Sequence, residues 1–181
     1  TNSPTRLVSV CRAGDVKIWR IEVSGVRSQD PRWKLSAYFH GGNLRSAFAS
    51  VACRIPRNLV AMGFDTGLLQ IWALPSNEGI VDSLKTRKLP MFEQEHHSRG
   101  ILSIRAIEQM NSLRQRHGLH LALFSSARDA TIIRWEILNN CLRPLQRISF
   151  STDISQLHIV NRRGGTFELL GAVKDFVAVL G

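Results

Sequence analysis

The sequence predicts an all-β protein built from repeated hairpins, and three observations carry that reading. Three segments share one pattern: an apolar strand, a small or polar turn, then a second strand closing on tryptophan. They are LVSVCRAGDVKIWRI from Leu7 to Ile21, LVAMGFDTGLLQIWAL from Leu59 to Leu74, and LALFSSARDATIIRWEI from Leu121 to Ile137. Around the tryptophans, apolar and polar residues alternate with period two, as in Val16, Lys17 and Ile18, the mark of a half-buried strand and not of a helix. Gly14 and Gly67 each stand five residues before a tryptophan, where a tight turn needs positive φ or the lack of a side chain.

Aligned on Trp19, Trp72 and Trp135, the segments also share a branched aliphatic residue three positions earlier: Val16, Leu69 and Ile132. Between the tryptophans the alternation continues, predicting further strands near 33–39, 44–53, 87–92, 99–107 and 143–150, and another group from about 154 to the end. The tryptophans are 53 and 63 residues apart. The added length falls in the polar, irregular stretches 75–88 and 108–118, which read as surface loops.

Composition bounds the function classes. The chain has 181 residues, enough for one domain with its own core, since domains most often run to roughly 100–150 residues. Its 44% hydrophobic and 21% charged residues exclude the signature of disorder. No stretch approaches the roughly 18 consecutive apolar residues of a membrane span, and the N-terminus shows no charged-then-apolar leader pattern. The expectation is an intracellular setting, cytoplasmic or nuclear, with no membrane partner. Cys11, Cys53 and Cys141 are widely spaced, odd in number and set in or beside apolar runs, so they are expected to be buried structural thiols and neither a disulfide framework nor a zinc site.

The repeated tryptophan segments resemble the WD-repeat family, whose blades end their third strand in an Asp-x-x-x-Ile-x-Ile-Trp-Asp-like run and carry a Gly-His pair earlier. Asp129, six residues before Trp135, matches the family's structural aspartate; Asp65 stands one position early and Asp15 follows Gly14. Only Glu136 keeps the acidic residue after the tryptophan, with Arg20 and Ala73 in its place elsewhere. The family's histidine is approximated by His40 and by His96 or His97. In the family that histidine joins a hydrogen-bond network with the turn aspartate, so His40, His97 and Asp129 are read as structural.

The resemblance implies an all-β fold of β-propeller blades, four-stranded antiparallel sheets, as a partial propeller of about three to four blades. The divisions are 1–39 (incomplete blade), 40–92 and 93–150 (complete blades), and 151–181 (incomplete blade). Propellers close with typically four to eight blades, so the remaining ones are expected in the same natural chain or in a partner. The resemblance further implies a non-catalytic scaffold mediating protein–protein interactions within a multi-subunit complex. The residues seven before each tryptophan, Arg12, Asp65 and Arg128, are expected to line turns between second and third strands, with Asn43, Arg45 and Arg99 nearby, on the face where the family binds partners.

No sequence signature of catalysis, cofactor binding or metal ligation stands beside this. There is no nucleophile elbow, phosphate-cradling glycine loop, paired metal-ligand helix motif or calcium loop. His96 and His97 are adjacent, and neighbours in a strand point to opposite faces. Asp82, Glu93 and Glu95 are placed in or beside loops as solvated surface.

The formal charge of +10, with arginine far outnumbering lysine, is the unusual feature of the composition. In a propeller frame, Arg54, Arg57, Arg114, Arg116, Arg162 and Arg163 fall in loops between first and second strands. Arg27, Arg32, Lys85, Arg87, Lys88 and Arg143 fall in loops between third and fourth strands, on the same side. Together these are half of the 24 basic residues, forming a basic face. The planar guanidinium fork suits phosphates and carboxylates, so the alternative reading is a nucleoprotein component contacting RNA or DNA backbone.

Overall fold

A computed structural model describes residues 6–12, 15–22, 32–40, 49–55, 58–74, 90–109, 120–138, 141–162, 167–173 and 176–180. Every regular element among them is a strand, and the strands form four antiparallel meanders. The first sheet orders β1 (Arg6–Val10), β2 (Asp15–Glu22) and β3 (Arg32–His40). The second orders β4 (Ala49–Ile55), β5 (Leu59–Phe64), β6 (Leu68–Ala73) and β7 (Phe92–Glu95). The third orders β8 (Ile101–Gln109), β9 (His120–Ala127), β10 (Thr131–Leu138) and β11 (Cys141–Ser149). The fourth orders β12 (Gln156–Asn161), β13 (Phe167–Val173) and β14 (Phe176–Leu180). The chain is thus a partial β-propeller, with the strand expected near 87–92 seen at Phe92–Glu95.

Period-two alternation gives the second and third sheets two apolar faces, and neighbouring sheets bury such faces against one another. Val16 and Ile18 of the first sheet pack with Val60, Met62, Phe64 and Trp72 of the second. The second sheet's opposite face, with Ala61, Leu69 and Ile71, packs with Ile101, Leu121, Leu123 and Trp135 of the third. The third seam joins Phe124 and Ile132 to Leu157 and Leu169, with Phe124 and Phe167 edge to face at 5.5 Å between ring centroids. The first two seams therefore each receive a tryptophan from the later sheet, and all three receive the branched aliphatic residue from the earlier one. Chain order is consequently spatial order.

The sheets repeat their irregularities as well. The pairing of the third strand with the outer one shifts between Ile18 and Trp19 in the first sheet and between Arg134 and Trp135 in the third. In the third sheet this bulge leaves Leu145 beside Pro144 in the outer strand, and Leu145 is exposed. The innermost strands bulge too, between Ala49 and Val51 and between Ile101 and Ser103. A bulge bends its strand and redirects side chains, and both inner bulges lie at the same end of their sheets.

Two sequence expectations need correction. Cys11 and Cys141 are exposed and Cys53 is only partly buried; all three are free thiols. Cys11 follows β1 at a turn and Cys141 opens the outermost strand β11, so neighbouring apolar residues did not bring burial. Glu93 and Glu95 lie within strand β7, not in a loop; Asp82 lies outside the described residues.

Candidate functional site

The site is built where second strands turn into third strands in three successive sheets, and two of these turns share one geometry. In the second sheet, Gly67 donates its N–H to the Phe64 carbonyl at 3.1 Å and holds φ at 92°. In the third, Ala130 donates to Ala127 at 3.2 Å with φ at 56°. Both are type I turns closed by a left-handed residue, the usual three-residue hairpin connection. Gly67 is required twice over, because a Cβ there would also collide with the His97 carbonyl. In the first sheet Arg12 occupies the corresponding turn after β1; Ala13 and Gly14 lie outside the described residues.

Beneath the third turn lies a buried polar chain. The Trp135 indole N–H donates to the Ser125 hydroxyl at 2.7 Å, and Ser125 Oγ is 2.8 Å from His97 Nε2. His97 Nδ1 is 3.2 Å from both oxygens of Asp129, which also accepts from the Thr131 hydroxyl at 2.6 Å and from the Ser98 N–H at 2.9 Å. One proton arrangement satisfies every member: Ser125 donates to a neutral His97 whose Nδ1–H donates to the Asp129 carboxylate. Burial lowers the His97 pKa, and this outweighs the opposing pull of Asp129. For Asp129, burial acts upward, but hydrogen bonds from Thr131 and Ser98, with His97, more than offset it and hold the carboxyl below its ordinary range.

Of the two candidate histidines, His97 takes the network position, while the exposed His96 contacts the edge of Trp135 at 5.5 Å between ring centroids. His40 instead ends strand β3, opposite Asp15. The other sheets vary the scheme. Trp19 donates to Ser9 at 2.8 Å, whereas Met62 stands where Ser9 and Ser125 stand, and Trp72 turns to Gln70 at 3.1 Å. Gln70 in turn donates to Glu93 at 2.7 Å.

Asp65, Arg12 and Arg128 share the outward position of the three turns, one before that of Asp129, and all three are exposed. They come together with Ala49, Ser50, Gly100, Ile101 and Leu102 around a groove of about 290 Å³. Backbone bonds fix its walls: Ala49 donates to the Arg12 carbonyl at 3.0 Å and Arg128 to the Gly100 carbonyl at 2.9 Å. The Ser50 hydroxyl donates to the Ile101 carbonyl at 2.6 Å, tying the two inner strands across the seam. The start of each inner strand thus hooks a turn, and the inner bulges open the space between.

Among the residues expected at a partner site, then, Arg12, Asp65 and Arg128 converge on one groove. Arg99 is exposed beside Gly100 but is not part of the lining; Asn43 and Arg45 lie outside the described residues. Ser50, Gly100 and Leu102 were not singled out from sequence, because only the pairing shift of the inner strands brings them there. The groove offers two guanidinium groups, one carboxylate and an aliphatic floor. Its one side-chain hydroxyl is bonded to a carbonyl and the nearby His97 is enclosed in its own network, an arrangement suited to recognition.

The expected basic face is only partly described. Arg57, Arg114, Arg116 and Arg163, with Arg27, Lys85, Arg87 and Lys88, lie outside the described residues, while Arg54 is on β4. Arg162 donates to Glu168 at 2.5 Å, and Arg143, placed within β11 and not in a loop, to Glu136 at 2.6 Å. Arg32 likewise opens strand β3. Strand pairing reaches further along the chain than the polar composition of these stretches indicated.

Among solved structures, the chain is similar to the WD40 β-propeller domain of Doa1, with 14% identity and a TM-score of 0.60 over 99% of this chain and 47% of that one. The WD40 domain of Toxoplasma gondii coronin matches with 15% identity and a TM-score of 0.61 over 97% of this chain and 40% of that one. The fold is that of WD40 propeller blades. A computationally designed protein, Ika8, is also similar, with 18% identity and a TM-score of 0.57 over 99% of this chain and 43% of that one. The chain spans less than half the length of each, and identities this low speak to the fold alone. No protein-family model matches the sequence, and neither does any curated protein. The Trp135, Ser125, His97 and Asp129 chain lies within the third blade, and the groove is lined by residues of three successive blades.

Proposed function

We propose that this chain is a non-catalytic WD40 scaffold that binds a partner protein, within a larger assembly, at the groove between its turns. The observation that carries this reading is the convergence of Arg12, Asp65 and Arg128, one from each of three successive blades, on a single groove. Rigid blades hold those turns in place by backbone hydrogen bonds, so a partner meets a preorganised surface and recognition costs little ordering. The WD40 fold, which commonly serves as an interaction platform, supports the same class of function.

The test is selection of a displayed peptide library on the protein, counter-selected against the variant R12A/D65A/R128A. The reading requires peptides that bind the parent and not the variant. Peptides that bind both equally, or none at all, refute it.

The charge of +10 favours one second reading, contact with RNA or DNA backbone by the basic side. Binding of mixed RNA and DNA across a salt series tests it, since contacts to several phosphates give a steep negative log–log slope. A flat response leaves the protein scaffold.

A further inference from the structure

We infer, on the reading that this groove receives a partner protein, that its occupant is a peptide segment of alternating charge, acidic then basic then acidic. The segment lies across the turns of three successive blades.

Two seams place the first, second and third sheets side by side in chain order. Arg12, Asp65 and Arg128 hold the same outward position in the corresponding turns, so the carboxylate stands between two guanidinium groups. Gly100 is wedged against this arrangement: its carbonyl accepts from Arg128, and a Cβ there would lie 3.0 Å from Asp65 backbone atoms. The middle and last positions are therefore held in fixed relation through one backbone segment.

A guanidinium presents a planar fork of donors to carboxylates, and a carboxylate accepts from lysine, arginine or hydroxyl donors. A uniform polyanion, including a nucleic-acid strand, would set one of its charges against Asp65. A uniform polycation would meet two arginines. Only a segment whose charges alternate is complementary at all three positions. The aliphatic floor of Ala49, Ile101 and Leu102 then accommodates the stems of its side chains. Arg12 and Asp65 each already engage a group of this chain, so a ligand shares them, and the pattern of charge sets the preference.

The experiment uses fluorescent Glu–Lys–Glu peptides differing only in the glycine spacing between charges, with Glu–Glu–Glu and Lys–Lys–Lys peptides and a single-stranded oligothymidylate as comparisons. Anisotropy is measured against the parent, R128E and D65R proteins, each first shown by circular dichroism and thermal unfolding to be folded like the parent. At one spacing the alternating peptide should bind the parent at least about threefold more tightly than any comparison probe, and R128E should weaken it by a similar factor. D65R should reverse the order, so that Glu–Glu–Glu and the oligothymidylate bind best. If a uniform probe binds the parent as well as the alternating one, or D65R leaves the order unchanged, or no probe binds, the inference falls. Library peptides that still required Arg12, Asp65 and Arg128 would then preserve the scaffold reading without this charge pattern.

Discussion

Trp135 donates its indole N–H to Ser125 at 2.7 Å in a fully buried setting, and the same hydroxyl lies within hydrogen-bond distance of His97. Ser125 is therefore the link on which two otherwise orphaned groups depend. Replacing it with alanine leaves the indole N–H and His97 Nε2 unsatisfied in the core, and a buried unsatisfied group costs about 1–3 kcal/mol. We expect Ser125→Ala to lower unfolding free energy by about 3 kcal/mol and Ser9→Ala, in a less buried pair, by about 1 kcal/mol. Urea titration of the two variants checks the ranking; equal losses would contradict it.

Acidity should loosen the third blade in two stages. His97 folds with a pKa below its ordinary 6.5, so the unfolded chain binds more protons just below that pH, and stability falls as pH drops through 6.5. Asp129 folds with a pKa below 3.8 and contributes a second loss as pH falls through that value toward its folded one. Above 6.5 both contributions are fully present. Denaturant midpoints across this range should show the upper step in the parent and not in His97→Gln, compared with that variant's own midpoint at neutral pH.

The turn residues make a matched pair of tests. Gly67→Ala forces a side chain into a left-handed conformation and against the His97 carbonyl, and should cost more than about 2 kcal/mol. Ala130 holds the equivalent left-handed position without a glycine. Ala130→Gly relieves strain but frees the unfolded chain, for a net gain of up to about 1 kcal/mol. Thermal unfolding of both variants should move in opposite directions.

Charge at the groove should separate function from stability. Arg12 and Arg128 are exposed turn residues, and removing both side chains should change unfolding free energy by no more than about 0.5 kcal/mol. Selected groove-binding peptides should nevertheless be lost from the double variant. A large stability change would show that these arginines support the turns themselves.

Much of the fold was legible because its signals are local. The alternation at Val16, Lys17 and Ile18 reports a strand face directly, and the turn at Gly67 is hairpin chemistry within four residues. The outward position shared by Arg12, Asp65 and Arg128 follows from counting back from the tryptophans. What escaped depended on distant pairing. The choice of His97 over His96 is made by Ser125 and Asp129, about thirty residues away, and the groove-lining role of Ser50 and Leu102 by bulges against β5 and β9. The cysteines were misread because an apolar neighbourhood in sequence does not tell a turn or an edge from an interior.

The bulge at the outer strand of the third blade has a consequence for how the protein behaves in a crowded solution. Strand β11 is the exposed margin of its sheet, and an exposed margin invites pairing with another chain's strand and growth into aggregates. Pro144 lacks an amide donor and Leu145 breaks the pairing rhythm, while Arg143 and Arg147 on the same strand are paired with Glu136 and Asp129 of this chain. A visiting strand finds no unbroken ladder. The irregularity that looks like a flaw in the blade thus interrupts the flat, continuous edge on which strand-by-strand growth depends.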